Sequence, residues 1–181
     1  MKTKIQQVKP SVQAWLASIN TDWPIVAVEK SVFEGSLRDL LMQHPDLVGS
    51  ETEAVLWLRL GLIDRAHDIV QDGKRGTAAF LHAIVHRLEG DYWNSKYWIR
   101  QVRDESLLEA IGGEIIQSLD DPSHMELALK LKLISSSEFQ FNAFVDTCAN
   151  LTKAASSLDG SMSMVQRIVQ SEWHAIARRC W

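Results

Sequence analysis

Apolar residues recur along this chain at helical spacing, and almost nowhere do they alternate in the period of a strand. The densest case is 76–102, GTAAFLHAIVHRLEGDYWNSKYWIRQV. Phe80, Leu81, Ile84, Val85 and Leu88 make one stripe there, which predicts a helix. Gly90 can adopt the left-handed conformation that ends it, and Asp91 can cap a returning helix. That second helix carries Tyr92, Trp93, Tyr97, Trp98 and Ile99, so its rings must be buried or form a binding surface.

The same reading extends in both directions. Positions 1–9 are polar and read as a loose N-terminus. Pro10-Ser11 opens a helix carrying Val12, Trp15, Leu16 and Ile19, closed by Asn20-Thr21-Asp22. Pro24 biases Trp23 away from helix, so 23–28 reads as an extended connector. A helix over 36–43 stops at His44-Pro45. Ser50 and Glu53 have capping-box spacing ahead of 54–60, which is apolar nearly all round and therefore central. Gly61 breaks that helix and 62–71 returns, leading through the loop 72–77 into the hairpin above.

Further helices are expected over 107–119, with Gly112-Gly113 as a weak point, and over 122–133, started by Asp121-Pro122. Ser135-Ser136-Ser137 starts another, with Phe141, Phe144, Val145, Cys148 and Leu151 as its buried stripe. Small polar residues over 156–163 read as a linker. The last helix, 164–179, presents Val165, Ile168, Val169, Trp173, Ile176 and Ala177. The expectation is a single all-α domain over 1–181 built from antiparallel helical hairpins, with no convincing strand.

Composition narrows the function more than the fold. At 181 residues, 46% hydrophobic and 23% charged, the chain can bury a real core. The formal charge of −4 leaves no basic stripe to neutralise phosphates, so a nucleic-acid partner is not expected. Arg178-Arg179 reads as favourable charge in a last helical turn. No window approaches the roughly 20 apolar residues of a membrane span, and no membrane partner is expected. MKTKIQQVKP has positive charge without an apolar stretch behind it, unlike a secretory signal. Cys148 and Cys180, the only 2 cysteines, stand in no metal or redox spacing and read as reduced thiols in apolar helices, which suits a cytoplasmic protein.

Two consecutive hairpins share a plan of apolar helix, glycine and returning helix. GDYWNSKYWIRQV resembles the turn and second helix of a tetratricopeptide repeat. Aligned on Gly90, Ser95 falls where that family has a small alanine; Gly61 and Ala66 stand in the same relation in the first hairpin. The resemblance covers 51–102 and implies an irregular array of tetratricopeptide-like hairpins with flanking helices. Gly61 and Gly90 are closer together than that family's period of about 34 residues. His82 and His86 also occupy positions where the family packs apolar or aromatic residues. HAIVHRLEGDY, with NSKYW behind it, further resembles a group of uncharacterised bacterial and fungal proteins, which implies no activity.

Those histidines are the sharpest candidate for chemistry. His82 and His86 lie four apart on one helix face, Glu89 three further on, and His67 comes from the neighbouring helix. Two imidazoles one turn apart with a third from a neighbour can form an open metal site, or act as acid and base without metal. They can equally be satisfied by hydrogen bonds that stabilise the hairpin, since HxxxH alone lacks the glutamate of the zinc-protease motif. Arg87, Asp91, Asn94 and Arg100 add polar groups near the same turn, where they can also be caps and solvated salt bridges. Gly73-Lys74-Arg75-Gly76-Thr77 can cradle an anion at a helix start but lacks the Walker order, and a flexible loop is the plainer account. Trp57, Trp93, Trp98 and Trp173 read as mostly core, while terminal Trp181 either docks or frays.

No catalytic residue and no cofactor is assigned. The expected function is an interaction or scaffold domain that binds an unknown protein partner along a helical groove. The alternative is a small-ligand or metal-binding protein, possibly an enzyme, with ligand groups from His67, His82, His86, Arg87, Glu89, Asp91, Asn94 and Arg100. The metal version uses His67, His82 and His86.

Overall fold

Ser50 begins the central helix as its spacing indicates, its Oγ accepting the Glu53 N–H at 3.2 Å. The Glu53 carboxylate reaches one residue beyond the reciprocal capping-box position. It accepts the Gly49 N–H at 2.6 Å, and its other oxygen takes the Trp57 indole N–H at 2.9 Å. The structure is a computed structural model that describes residues 4–19, 23–153 and 161–180, with side chains from Pro10 onward. Among the described residues the α-helices are α1 (Lys4–Ser18), α2 (Glu34–Gln43), α3 (Glu51–Arg59), α4 (Ile63–Val70), α5 (Gly76–Glu89), α6 (Tyr92–Gln101), α7 (Glu105–Ser118), α8 (Pro122–Lys130), α9 (Phe141–Lys153) and α10 (Ser161–Cys180). A two-stranded sheet, β1 (Ile134–Ser135) and β2 (Glu138–Phe139), sits between α8 and α9. The class is all-α.

The hairpins α3/α4 and α5/α6 pack in succession, α5 lying against α3, α4 and α6. α3 is enclosed on every side, from Thr52 and Ala54 through Arg59. The connector 23–28 straps both hairpin turns. Ala27 N–H donates to the Leu88 carbonyl at 2.8 Å and Val28 N–H to the Gly61 carbonyl at 3.0 Å, satisfying groups that helix ends leave open. α10 closes the core against α3 and α7, burying Met164, Val165, Ile168, Val169, Trp173 and Ile176. The Trp173 indole N–H finds the Val55 carbonyl at 3.1 Å.

Several expectations need correction. α1 begins at Lys4, so 4–9 are helical and Pro10 lies within the helix. The buried Val12 and Trp15 anchor the turns that follow, and helix propagates back through a position lacking one N–H. The serine run at 135–137 does not start a helix. Ser136 and Ser137 take φ of 51° and 65°, the turn between β1 and β2, and α9 begins at Phe141. Gly112 of α7 explains why: a Cβ there would stand 3.0 Å from the Phe139 Cβ, so this helix face receives β2 closely. Of the expected linker, 161–163 form the first turn of α10, with Ser161 buried. The remainder of that linker, the Asn20-Thr21-Asp22 stop and Trp181 lie outside the described residues.

Candidate functional site

Small residues bring the histidines together. A Cβ on Gly73 would fall 2.3 Å from the Ala78 Cβ, so the α4–α5 turn closes only with glycine there. Ala66 is fully buried beside His67, letting α4 approach α5. Ser95 performs the same service for α6, its buried Oγ donating to the Ala83 carbonyl at 2.8 Å. Gly90 ends α5 at φ 87°, and Asp91 caps α6 by accepting the Asn94 N–H at 3.1 Å. His67 and His82 therefore each neighbour a close helix contact in sequence.

The Nε2 atoms of His67 and His82 are 2.9 Å apart, one ring donating and the other accepting. His82 and His86 stack at 4.9 Å between centroids, and the Trp98 indole stacks on His82 at 3.9 Å. One nitrogen from each of the three imidazoles falls within a 4.8 Å set. His82 is only 4% exposed, and its Nδ1 is buried without a hydrogen-bond partner. Burial, reinforced by the neighbouring His86 and His67, pulls its pKa down to about 4, so this ring is neutral near neutral pH. His86 Nδ1 pairs with Glu89 Oε2 at 3.1 Å; the carboxylate is half-exposed and the ring nearly buried. That bond fixes the ring's orientation and leaves Nε2 as the remaining lone-pair site.

The other expected ligands part company with this group. Arg87 faces the opposite way, into a buried two-point pair with Glu172 of α10, and is no solvated salt bridge. Asp91 and Asn94 are occupied with each other: the Asn94 side-chain N–H also donates to Asp91, at 2.7 Å. Arg100 is exposed. In the 73–77 loop the Gly76 N–H is taken by the Val102 carbonyl at 2.8 Å, and the surrounding cleft includes Asp104 and Glu105. Arg75 and Arg103 line the same cleft, so its charge is balanced.

Trp57 and Trp173 are core and Trp98 is half-buried, but Trp93 is 70% exposed and stacks beside Tyr97 on the outer face of α6. The stack of Trp98 on His82 is not readable from the sequence, which places its ring only in the core or on a binding surface. Sequence reasoning also misses Glu172, whose signal is a carboxylate within the stripe Ile168, Val169, Trp173 and Ile176. Burial raises the Cys148 thiol to about 11 and the Cys180 thiol to about 12, so both stay protonated.

The cavities lie elsewhere. An open cleft of about 930 Å³ is bordered by α7, β2 and the start of α9, with Ile99, Leu108, Phe139 and Phe141 on its walls. A tight, apolar cavity adjoins Arg87 and Glu172, and further clefts lie beside Arg103 and His174. None of the three histidines lines any of these. No protein-family model, curated protein or solved structure matches the chain. Separately, no helix among the described residues is long and apolar enough to cross a membrane.

Proposed function

We propose that this chain is a binding protein of the cytoplasm whose recognition groups are His67, His82 and His86, carried on a tetratricopeptide-like pair of hairpins. The observation that carries this reading is His82: an imidazole buried among two others with an unpaired ring nitrogen. An apolar side chain of similar shape would fill the place at less cost, because a buried polar atom without a partner destabilises by about 1–3 kcal/mol. Polar groups kept against such a cost mark functional positions. The ligand is a small polar molecule or a metal ion. A thermal-shift screen of metals and metabolites on the wild type and on His82→Ala/His86→Ala tests it. A ligand that stabilises the wild type and leaves the double variant unmoved supports the reading. No hit, together with a clearly destabilised double variant, would leave the histidines structural.

A second reading, a domain that binds a partner protein along a groove, draws on the cleft between α7 and β2. Its lining mixes the apolar Ile99, Leu108, Phe139 and Phe141 with four carboxylates, Glu105, Glu109, Glu138 and Asp146, against one cation, Lys132, which suits a basic peptide with apolar anchors. Charge reversal at Glu109 and Glu138 should abolish pull-down of such a peptide; unchanged binding would rule this groove out.

A further inference from the structure

Resting on the histidine reading above, we infer that the ligand is a divalent transition-metal ion of the zinc class, held by the imidazoles of His67, His82 and His86 with at least one coordination position open to water or an added ligand. Space makes the first argument. The three rings pack directly on one another and on Trp98, so the space between their nitrogens suits an ion and not an organic molecule. A bare ion needs only the gap between nitrogens.

The donor set makes the second argument. Zinc–nitrogen bonds of about 2.0–2.1 Å put neighbouring nitrogens about 3.3 Å apart in a tetrahedral shell. The His67 and His82 Nε2 atoms start at 2.9 Å and the three-nitrogen set spans at most 4.8 Å; turning His86 out of its stack on His82 brings the in-plane lone pairs onto one ion. Three imidazole donors suit zinc, copper, nickel or cobalt, whereas calcium and magnesium require oxygen. A shell of three protein donors leaves the fourth position open, as in catalytic-type sites.

Glu89 supplies the third. Its carboxylate on His86 Nδ1 sets which nitrogen that ring offers, the carboxylate–histidine–metal arrangement that orients a ligating imidazole. Glu89 is thus a positioning residue, acting through His86.

The test is a Co²⁺ titration of the full chain after chelator treatment, followed by visible absorption. One equivalent should give the strong bands of four- or five-coordinate cobalt, and added azide should shift them by entering the open position. His67→Ala, at a half-buried ring, and His82→Phe, which preserves the stack on Trp98, should each abolish the bands while circular dichroism stays native. Glu89→Gln should keep the band positions and weaken affinity by about 10–100-fold. Bands that persist in His67→Ala or His82→Phe place cobalt elsewhere and overturn the inference. Bands that ignore azide overturn the open position. Faint bands like those of hydrated cobalt, alongside a carboxylate, phosphate or amine whose thermal shift vanishes in His82→Ala/His86→Ala, overturn the metal and leave the histidine-site reading standing. Failure of both assays ends both.

Discussion

Arg87 clamps Glu172 inside the core, its Nη1 donating to Oε1 at 2.9 Å and its Nη2 to Oε2 in a parallel bond. Both side chains are almost fully buried, and the guanidinium also lies over the Phe144 ring at 4.9 Å. The pair joins α5 to α10, so the helix that carries His82 and His86 is pinned from behind. Removing one partner strands a buried charge. Glu172→Gln or Arg87→Met should lower stability by about 3–5 kcal/mol in urea unfolding, while Arg87→Met/Glu172→Leu should recover most of the loss. A single variant costing no more than an exposed salt bridge would contradict the pairing.

Adjacent glycines in α7 should respond in opposite directions. Gly113 has open space where a Cβ would go, so Gly113→Ala should stabilise by up to about 1 kcal/mol through helix propensity. At Gly112 the new Cβ would press on the Phe139 Cβ at 3.0 Å, and Gly112→Ala should destabilise by about 1–3 kcal/mol. Thermal unfolding of both variants decides it: equal shifts of the same sign would mean that β2 does not pack here.

The histidine that matters most should be dispensable for folding. His82→Phe removes the unpaired Nδ1 and keeps a flat ring against Trp98, so its Tm should equal or exceed that of the wild type. His82→Ala leaves a void at the same contact and should melt lower. A His82→Phe protein that melts well below wild type would show that His82 is held for structure.

Acid should weaken the metal-free protein through the same ring. His82 takes up a proton only near pH 4 when folded but at the ordinary histidine value near 6.5 when unfolded. The unfolded chain therefore binds more protons between those values, and stability falls as pH drops from about 6.5 towards 4. His174, lowered by burial and by Arg59, acts in the same direction. The pH dependence of the urea midpoint should be shallower in His82→Phe; identical slopes would contradict a buried neutral His82.

How far these features were legible follows from the range of the forces that make them. Local signals read well: Ser50, Gly90 and Asp91 cap the helices expected of them, because a cap depends on a few neighbouring residues. The i, i+4 pairing of His82 with His86 is equally local, and the helix-turn plan of the first hairpin was enough to suggest His67. Long-range partners were not legible. Nothing near Arg87 in sequence names Glu172, and nothing near Gly112 names Phe139. The serines at 136 and 137 mislead for a related reason: serine suits a helix cap and a left-handed turn alike, and packing of Phe139 on α7 selects the turn.

The central claim is that the three imidazoles act together as one ligand set, and ring-nitrogen NMR measures that directly. In long-range ¹H–¹⁵N correlation spectra of the full chain, one equivalent of Zn²⁺ should move one ring nitrogen of each of His67, His82 and His86 to the metal-bound range. The Nδ1 of His86 should keep the signature of an N–H bonded to Glu89. His44, His124 and His174 should not respond. Zn²⁺ that leaves His82 unchanged, or that shifts the other histidines equally, would contradict the account.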